Sequence, residues 1–133
     1  MKSVVLDSCA LIAILFDETG AEEVEEMFSS AASADRPLYI SAINWAEVLY
    51  IVRRRQGQAG VDKAQEFGRN MPIEIVPADS EFAAKASEYK AACKISLADA
   101  FAAALAKEKK AELVTADPEF RSVEKEIRIR WLK

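Results

Sequence analysis

The 133-residue sequence contains no histidine. That absence removes Ser-His and Cys-His nucleophilic machinery, histidine acid–base pairs and histidine metal ligands at once. Cysteine is scarce: Cys9 and Cys93 are too few for a thiolate-rich zinc site. As isolated residues they read as buried free thiols rather than a disulfide framework. The four glycines form neither a G-x-G-x-x-G turn nor a Walker A loop, which disfavours nucleotide-binding folds of those kinds. Long apolar runs are missing too. The uncharged stretch from Cys9 to Phe16 falls far short of the roughly 20 residues of a membrane span, and Asp7 interrupts what would be a signal peptide. These absences imply a cytoplasmic protein with no membrane partner. Positive charge is not in excess either. With 18 Lys+Arg against 22 Asp+Glu the formal net charge is −4, so no overall basic field draws in nucleic acid.

What is present is the material of one soluble globular domain over residues 1–133, with 51% hydrophobic and 30% charged residues. No linker, repeat or low-complexity block interrupts it. Ser3–Leu6 reads as a buried strand, Cys9–Phe16 as a helix and Gly20–Ser30 as a second, acidic one. Leu38–Ile40 is a short strand opened by Pro37. Ala42–Gln56 is helical and stops at Gly57, and Val61–Asn70 is a further helix ending before Pro72. Ile73–Val76 is a strand, and Asp79–Cys93 and Ser96–Lys110 are alanine-rich helices. Glu112–Thr115 and Ile127–Trp131 complete the strands, with a helical turn at Pro118–Arg121. This alternation predicts an α/β domain, a three-layer α/β/α sandwich around a mostly parallel central sheet. In such sheets the functional crevice lies at the carboxyl ends of the strands.

Four acids stand alone in stretches that otherwise favour burial. Asp7 is the only charge from Ser3 through Phe16, Glu47 the only one from Leu38 through Val52, and Asp99 the only one from Ile95 through Ala106. Asp117 follows the strand Glu112–Thr115 at its exit. Desolvating an ionised carboxylate costs several kcal/mol, about enough that unpaired buried acids are rare. Asp7 and Asp117 sit at carboxyl ends of strands, and Asp99 opens the helix that leads back to the last-but-one strand. Glu47 lies roughly 9 Å into a helix that starts from a strand's carboxyl end. All four can therefore reach one edge of the sheet, where they would repel one another without a cation.

Mg²⁺ or Mn²⁺ is the natural partner, since both prefer carboxylate and water oxygens. Two such ions about 4 Å apart can activate a water and stabilise the leaving oxygen of a phosphodiester. Each acid also has a plainer reading. Asp99 follows Ser96 in a capping-box pattern, Asp117 before Pro118 suits a helix N-cap, and Asp7 can cap the next helix. Glu47, inside its helix, can only be a paired structural acid. Caps explain three of the acids one by one, but not why all four converge.

At these residues the sequence resembles the PIN-domain nucleases and, among them, the VapC-type toxins of toxin–antitoxin pairs. Val5-Leu6-Asp7-Ser8-Cys9-Ala10 resembles the first motif and Asn44-x-x-Glu47-Val48 the second. Ser96-Leu97-Ala98-Asp99-Ala100 resembles the third, and Leu113 through Phe120 (Leu-Val-Thr-Ala-Asp-Pro-Glu-Phe) the fourth. The ordered set spans nearly the whole chain. The resemblance implies a metal-dependent endoribonuclease in which metal-bound water attacks the scissile phosphate. Asp7, Glu47, Asp99 and Asp117 would be its catalytic and metal-binding acids, Asp7 and Asp99 holding the first ion. Ser8 and Thr115 would support it by holding a metal-bound water, although a cap and an ordinary strand residue explain them as well. It also implies a homodimer restrained by a cognate antitoxin.

Arg54 lies seven residues beyond Glu47, on nearly the same helix face and about 10 Å away. It can meet a flanking RNA phosphate, or simply complement the helix C-terminus. Two other readings compete with a nuclease. A signalling receiver domain also has an acidic, Mg²⁺-binding sheet edge, but it wants an adjacent acid pair, and Asp7 stands between Leu6 and Ser8. A non-catalytic module that binds RNA or a protein partner would leave its carboxylates unused.

Overall fold

The computed structural model describes residues 3–133. Its elements are β1 (Val4–Leu6), α1 (Ser8–Leu15), α2 (Ala21–Ala34), β2 (Leu38–Ser41), α3 (Ala42–Asn70), β3 (Ile73–Val76), α4 (Ser80–Ala92), α5 (Leu97–Lys109), β4 (Glu112–Thr115) and β5 (Ile129–Trp131), with a 3-10 turn at Pro118–Val123. The short strands are apolar because both faces of the sheet are covered. Leu6 and Val114 turn toward α1, α2 and α3, whereas their neighbours Val5 and Leu113 turn toward α4 and α5. On that second side Ala100 through Ala106 of α5 are all buried. Its alanines pack between the larger Phe101 and Leu105, which are buried in the same cluster.

The strands run in the order β3-β2-β1-β4-β5, and every pair is parallel. The expected sheet is thus present and wholly parallel. From β1 the chain builds outward through β2 to β3, then returns to add β4 and β5 on the other side. The order therefore reverses between β1 and β4, and in sheets of this type a crevice opens at the carboxyl ends beside such a reversal.

Two expectations change. The helices read at Ala42–Gln56 and Val61–Asn70 join into the single 29-residue α3, which kinks where Gly57 adopts φ 68° and ψ −161°. Gly57 does break the helical path as expected, but the helix resumes immediately because a glycine can take up that backbone conformation. The cysteines are free, yet Cys9 is exposed and Cys93 half-buried. Cys9 follows Ser8 on the outer side of the first turn of α1, where the apolar run around it faces the other way.

Candidate functional site

The site begins where β1 ends. Asp7 has extended backbone and caps α1, its Oδ1 accepting the Ala10 N–H at 2.8 Å. Its other oxygen, Oδ2, accepts a hydrogen bond from the Thr115 hydroxyl. The two residues meet because Leu6 and Val114 are paired in adjacent strands, and Asp7 and Thr115 are the residues that follow them. Thr115 Oγ1 in turn accepts the Asp117 N–H at 2.9 Å, and Asp117 Oδ1 accepts the Glu119 N–H at 2.9 Å to open the 3-10 turn. From the other side, Ser96 caps α5 by accepting the Asp99 N–H at 3.1 Å. The caps foreseen in the sequence are therefore real, and they are also what aims the acids at one place.

Asp99, Asp117 and Glu119 each bring one carboxylate oxygen within 4.8 Å of the others. Asp7 is 2% exposed and Asp99 8% exposed. Burial pushes the Asp7 carboxyl up to about 7, further raised by the charges of Asp99 and Asp117, while the Thr115 and Ala10 hydrogen bonds hold it down. Asp99 is pushed up to about 6, first by burial, then by Asp117, with smaller contributions from Glu47 and Glu119 against the lowering effect of Ser96. Among the described residues no lysine or arginine offsets either carboxyl. The ion pairs Arg55–Glu18 and Lys85–Glu81 lie elsewhere. Glu47 is half-buried on α3 and reaches the group through its effect on Asp99.

A buried polar knot fastens these elements together. The Asn44 side chain, fully buried on the first turn of α3, donates through Nδ2 to Ser8 Oγ at 3.2 Å and to the Ala98 carbonyl at 3.1 Å. Its Oδ1 accepts from the Ser41 hydroxyl, which also caps α3 by accepting the Asn44 N–H at 3.0 Å. Ser8 completes the circuit by donating to the Asn44 carbonyl at 3.3 Å.

Of the seven residues singled out in the sequence, the structure gathers Asp7, Glu47, Asp99, Asp117 and Thr115 around one crevice. Ser8 stands beside Asp7, but its hydroxyl is turned to α3. Arg54 is exposed and engages Tyr50, donating from Nη1 to the phenol oxygen at 2.6 Å with its guanidinium 5.6 Å from the ring centre. Sequence reasoning missed Glu119 and Asn44. Glu119 sat inside the fourth motif but reads as surface until the 3-10 turn folds it back beside Asp117. Asn44 carried a signal that went unused, being a polar side chain on a helix turn flanked by Ile43 and Trp45.

The exposed Cys9 borders the crevice without joining its chemistry. Desolvation of the thiol and the Asp7 charge push it up to about 11, so it stays protonated at neutral pH. The donor set is thus made of oxygen alone. The site lies at the carboxyl edge of the sheet, with Asp7 and Asp99 buried and Asp117 and Glu119 nearer the surface. A cleft of about 350 Å³ does exist, but it lies at the opposite, amino ends of the strands, lined by Val4, Leu38 and Glu112.

Comparison with known proteins gives a family and a fold. The family described as the PIN domain matches residues 4–126. No curated protein sequence matches. Among solved structures, a chain of VapBC2 from Rickettsia felis, bound to a promoter DNA fragment, superposes with a TM-score of 0.78 at 17% identity, covering 98% of both chains. A chain of DNA-bound VapBC from Salmonella typhimurium gives 0.78 at 21% identity, again over 98% of both. VapC20 from Mycobacterium tuberculosis, described as a sarcin-ricin loop cleaving toxin, gives 0.68 at 15% identity over 84% of this chain and 87% of that one.

Proposed function

This chain belongs to the PIN-domain family, and from that premise we propose that it is a Mg²⁺- or Mn²⁺-dependent endoribonuclease, the toxin of a type II toxin–antitoxin pair. The observation that carries the proposal is the gathering of carboxylates with no compensating cation at the β1–β4 reversal. The residues fit a hard divalent ion: their donors are all oxygen, and Asp7 and Asp99 are buried acids raised first by desolvation and then by the carboxylates around them, so a cation would be favoured there. Asp99, Asp117 and Glu119 would hold the ion, with Asp7 and Glu47 completing the negative field around it. When bound, it supplies Lewis acidity and lowers the pKa of water at the site.

The chain's own contribution is positioning. Thr115 fixes one Asp7 oxygen and the Ala10 N–H the other, so this carboxylate cannot swing away as charge builds. The caps on α5 and on the 3-10 turn do the same for Asp99 and Asp117. The chain has no histidine; the groups here whose carboxyls are raised toward neutral pH are Asp7, pushed up to about 7, and Asp99, pushed up to about 6. Exposed Arg54 with Tyr50, farther along α3 from Glu47, is available to an RNA phosphate. A cognate antitoxin and a homodimer follow from the kinship with VapC-type toxins. No helix among the described residues is long and apolar enough to cross a membrane, and we place the protein in the cytoplasm as part of the same proposal.

The receiver reading loses its footing, because the strand order 3-2-1-4-5 differs from the 2-1-3-4-5 of that fold. The test is incubation of purified protein with mixed cellular RNA in Mg²⁺, Mn²⁺ or EDTA, beside Asp7→Asn and Asp99→Asn. Cleavage that needs the metal and disappears in both folded variants is expected. Full activity in either variant sinks the assignment, and no cleavage by folded wild type in either metal leaves a binding module.

A further inference from the structure

Asn44 joins the three segments that carry Asp7, Glu47 and Asp99. It donates to the hydroxyl of Ser8, the residue after Asp7, and to the carbonyl of Ala98, the residue before Asp99. Its own helix carries Glu47 one turn later. The remaining acceptor, Oδ1, is occupied by Ser41 at the end of β2. Both N–H groups and the oxygen of this fully buried amide are thus bonded to a neighbour of an acid or to the strand end that launches α3. A residue serving only packing at this place would be apolar, as its neighbour Trp45 and Val48 are. A buried amide without partners is costly, so a fully partnered one holds its neighbours at defined distances.

We infer that Asn44 is a positioning residue, tying the segments of Asp7, Glu47 and Asp99 to one another and so fixing the place of Asp99, one of the three proposed ligands, and with it the affinity of the site for its divalent ion. The inference rests on the proposed metal site and adds to it the part that holds the segment of Asp99 where its carboxylate meets those of Asp117 and Glu119. Nothing but geometry is required of Asn44. Its side chain bonds to Ser8, Ala98 and Ser41 and to none of the carboxylates. Outer partners of this kind typically change metal affinity by about 10- to 100-fold when removed.

The test uses the full chain and Mn²⁺ itself as the probe, titrated under electron paramagnetic resonance so that free ion is counted directly. Wild type, Asn44→Ala, Asn44→Ser and Val52→Ala are compared, each with its unfolding midpoint in EDTA. Val52 is 2% exposed in the same core, on the same helix as Asn44, and makes no polar contact to the acids. Asn44→Ala is expected to weaken Mn²⁺ binding by about 10-fold or more, and Asn44→Ser, which keeps one donor, by less. Val52→Ala is expected to lose stability and keep wild-type affinity. Where RNA cleavage is measurable, kcat should fall in the Asn44 variants at constant KM for RNA.

Unchanged Mn²⁺ affinity in folded Asn44→Ala or Asn44→Ser overturns the inference and leaves the metal site standing. Equal loss of affinity in Val52→Ala also overturns it, since general loosening would then suffice. Should Asn44→Ala not fold, Asn44→Ser against Val52→Ala decides. Wild type that binds no Mn²⁺ removes the metal reading and this inference together.

Discussion

Asp7 commits one carboxylate oxygen to capping α1 and the other to Thr115, so a structural duty and a chemical one fall on the same atoms. Each oxygen retains a second lone pair, which leaves the capped carboxylate able to meet a cation. The raised pKa values make this arrangement testable. In the unfolded chain Asp7 and Asp99 titrate near 3.8, and in the fold near about 7 and about 6. Between these values the folded protein holds protons that the unfolded chain has released, so stability falls as pH rises. The favourable contribution is complete below 3.8 and lost as pH climbs through about 6 and then about 7. For Asp7 a shift of this size corresponds to about 4 kcal/mol. Urea unfolding in EDTA should therefore show a higher midpoint at pH 5 than at pH 8, and Asp7→Asn should flatten most of that slope. A wild-type midpoint that rises across this range contradicts the burial of uncompensated acids. At this scale the four lone acids were legible in the sequence because charge within an apolar run is conspicuous. Glu119 was not, because its place beside Asp117 depends on a 3-10 turn.

Elements act here mainly through their ends. Asp7, Ser41, Ser96 and Asp117 all lie at the starts of helical segments, where free N–H groups need acceptors. These starts cluster at the carboxyl edge because each follows a strand or leads back toward one. Ser-x-x-Asp spacing at Ser96, Asp117 before Pro118 and Asp7 before an apolar run made three of these caps readable from the chain; the Ser41 cap was not read. The kink in α3 was readable only in part: glycine marked the break, but not the continuation beyond it. Its Gly57 lies at φ 68° and ψ −161°, with open space where a Cβ would stand. Gly57→Ala should therefore destabilise through backbone strain alone, by about 1–3 kcal/mol, seen as a lower urea midpoint with an unchanged m-value. An unchanged midpoint would mean that the kink relaxes into continuous helix without loss.

For the whole molecule, a field of acids at one edge of an otherwise well-packed sandwich predicts that a divalent ion stabilises the fold. A ligand that binds only the native state adds about 2.7 kcal/mol at a concentration 100-fold above its Kd. Thermal unfolding should therefore shift upward in Mn²⁺ relative to EDTA, and Asp99→Asn should abolish most of the shift. An equal shift in wild type and variant would place the ion elsewhere. The sequence by itself determined the α/β class, the order of elements and the acids that stand alone, because hydrophobic periodicity, helix stops and misplaced charge are local properties. Which strands are neighbours was beyond it. The reversal between β1 and β4 brings Thr115 to Asp7 across 108 positions of chain, and Asn44 reaches Ala98 across 54. Such contacts form only when both faces of the sheet are buried together, since no single segment gains enough from burial to hold them. Tertiary packing therefore decided which carboxylates share oxygens with a common point, and which buried amide holds them there.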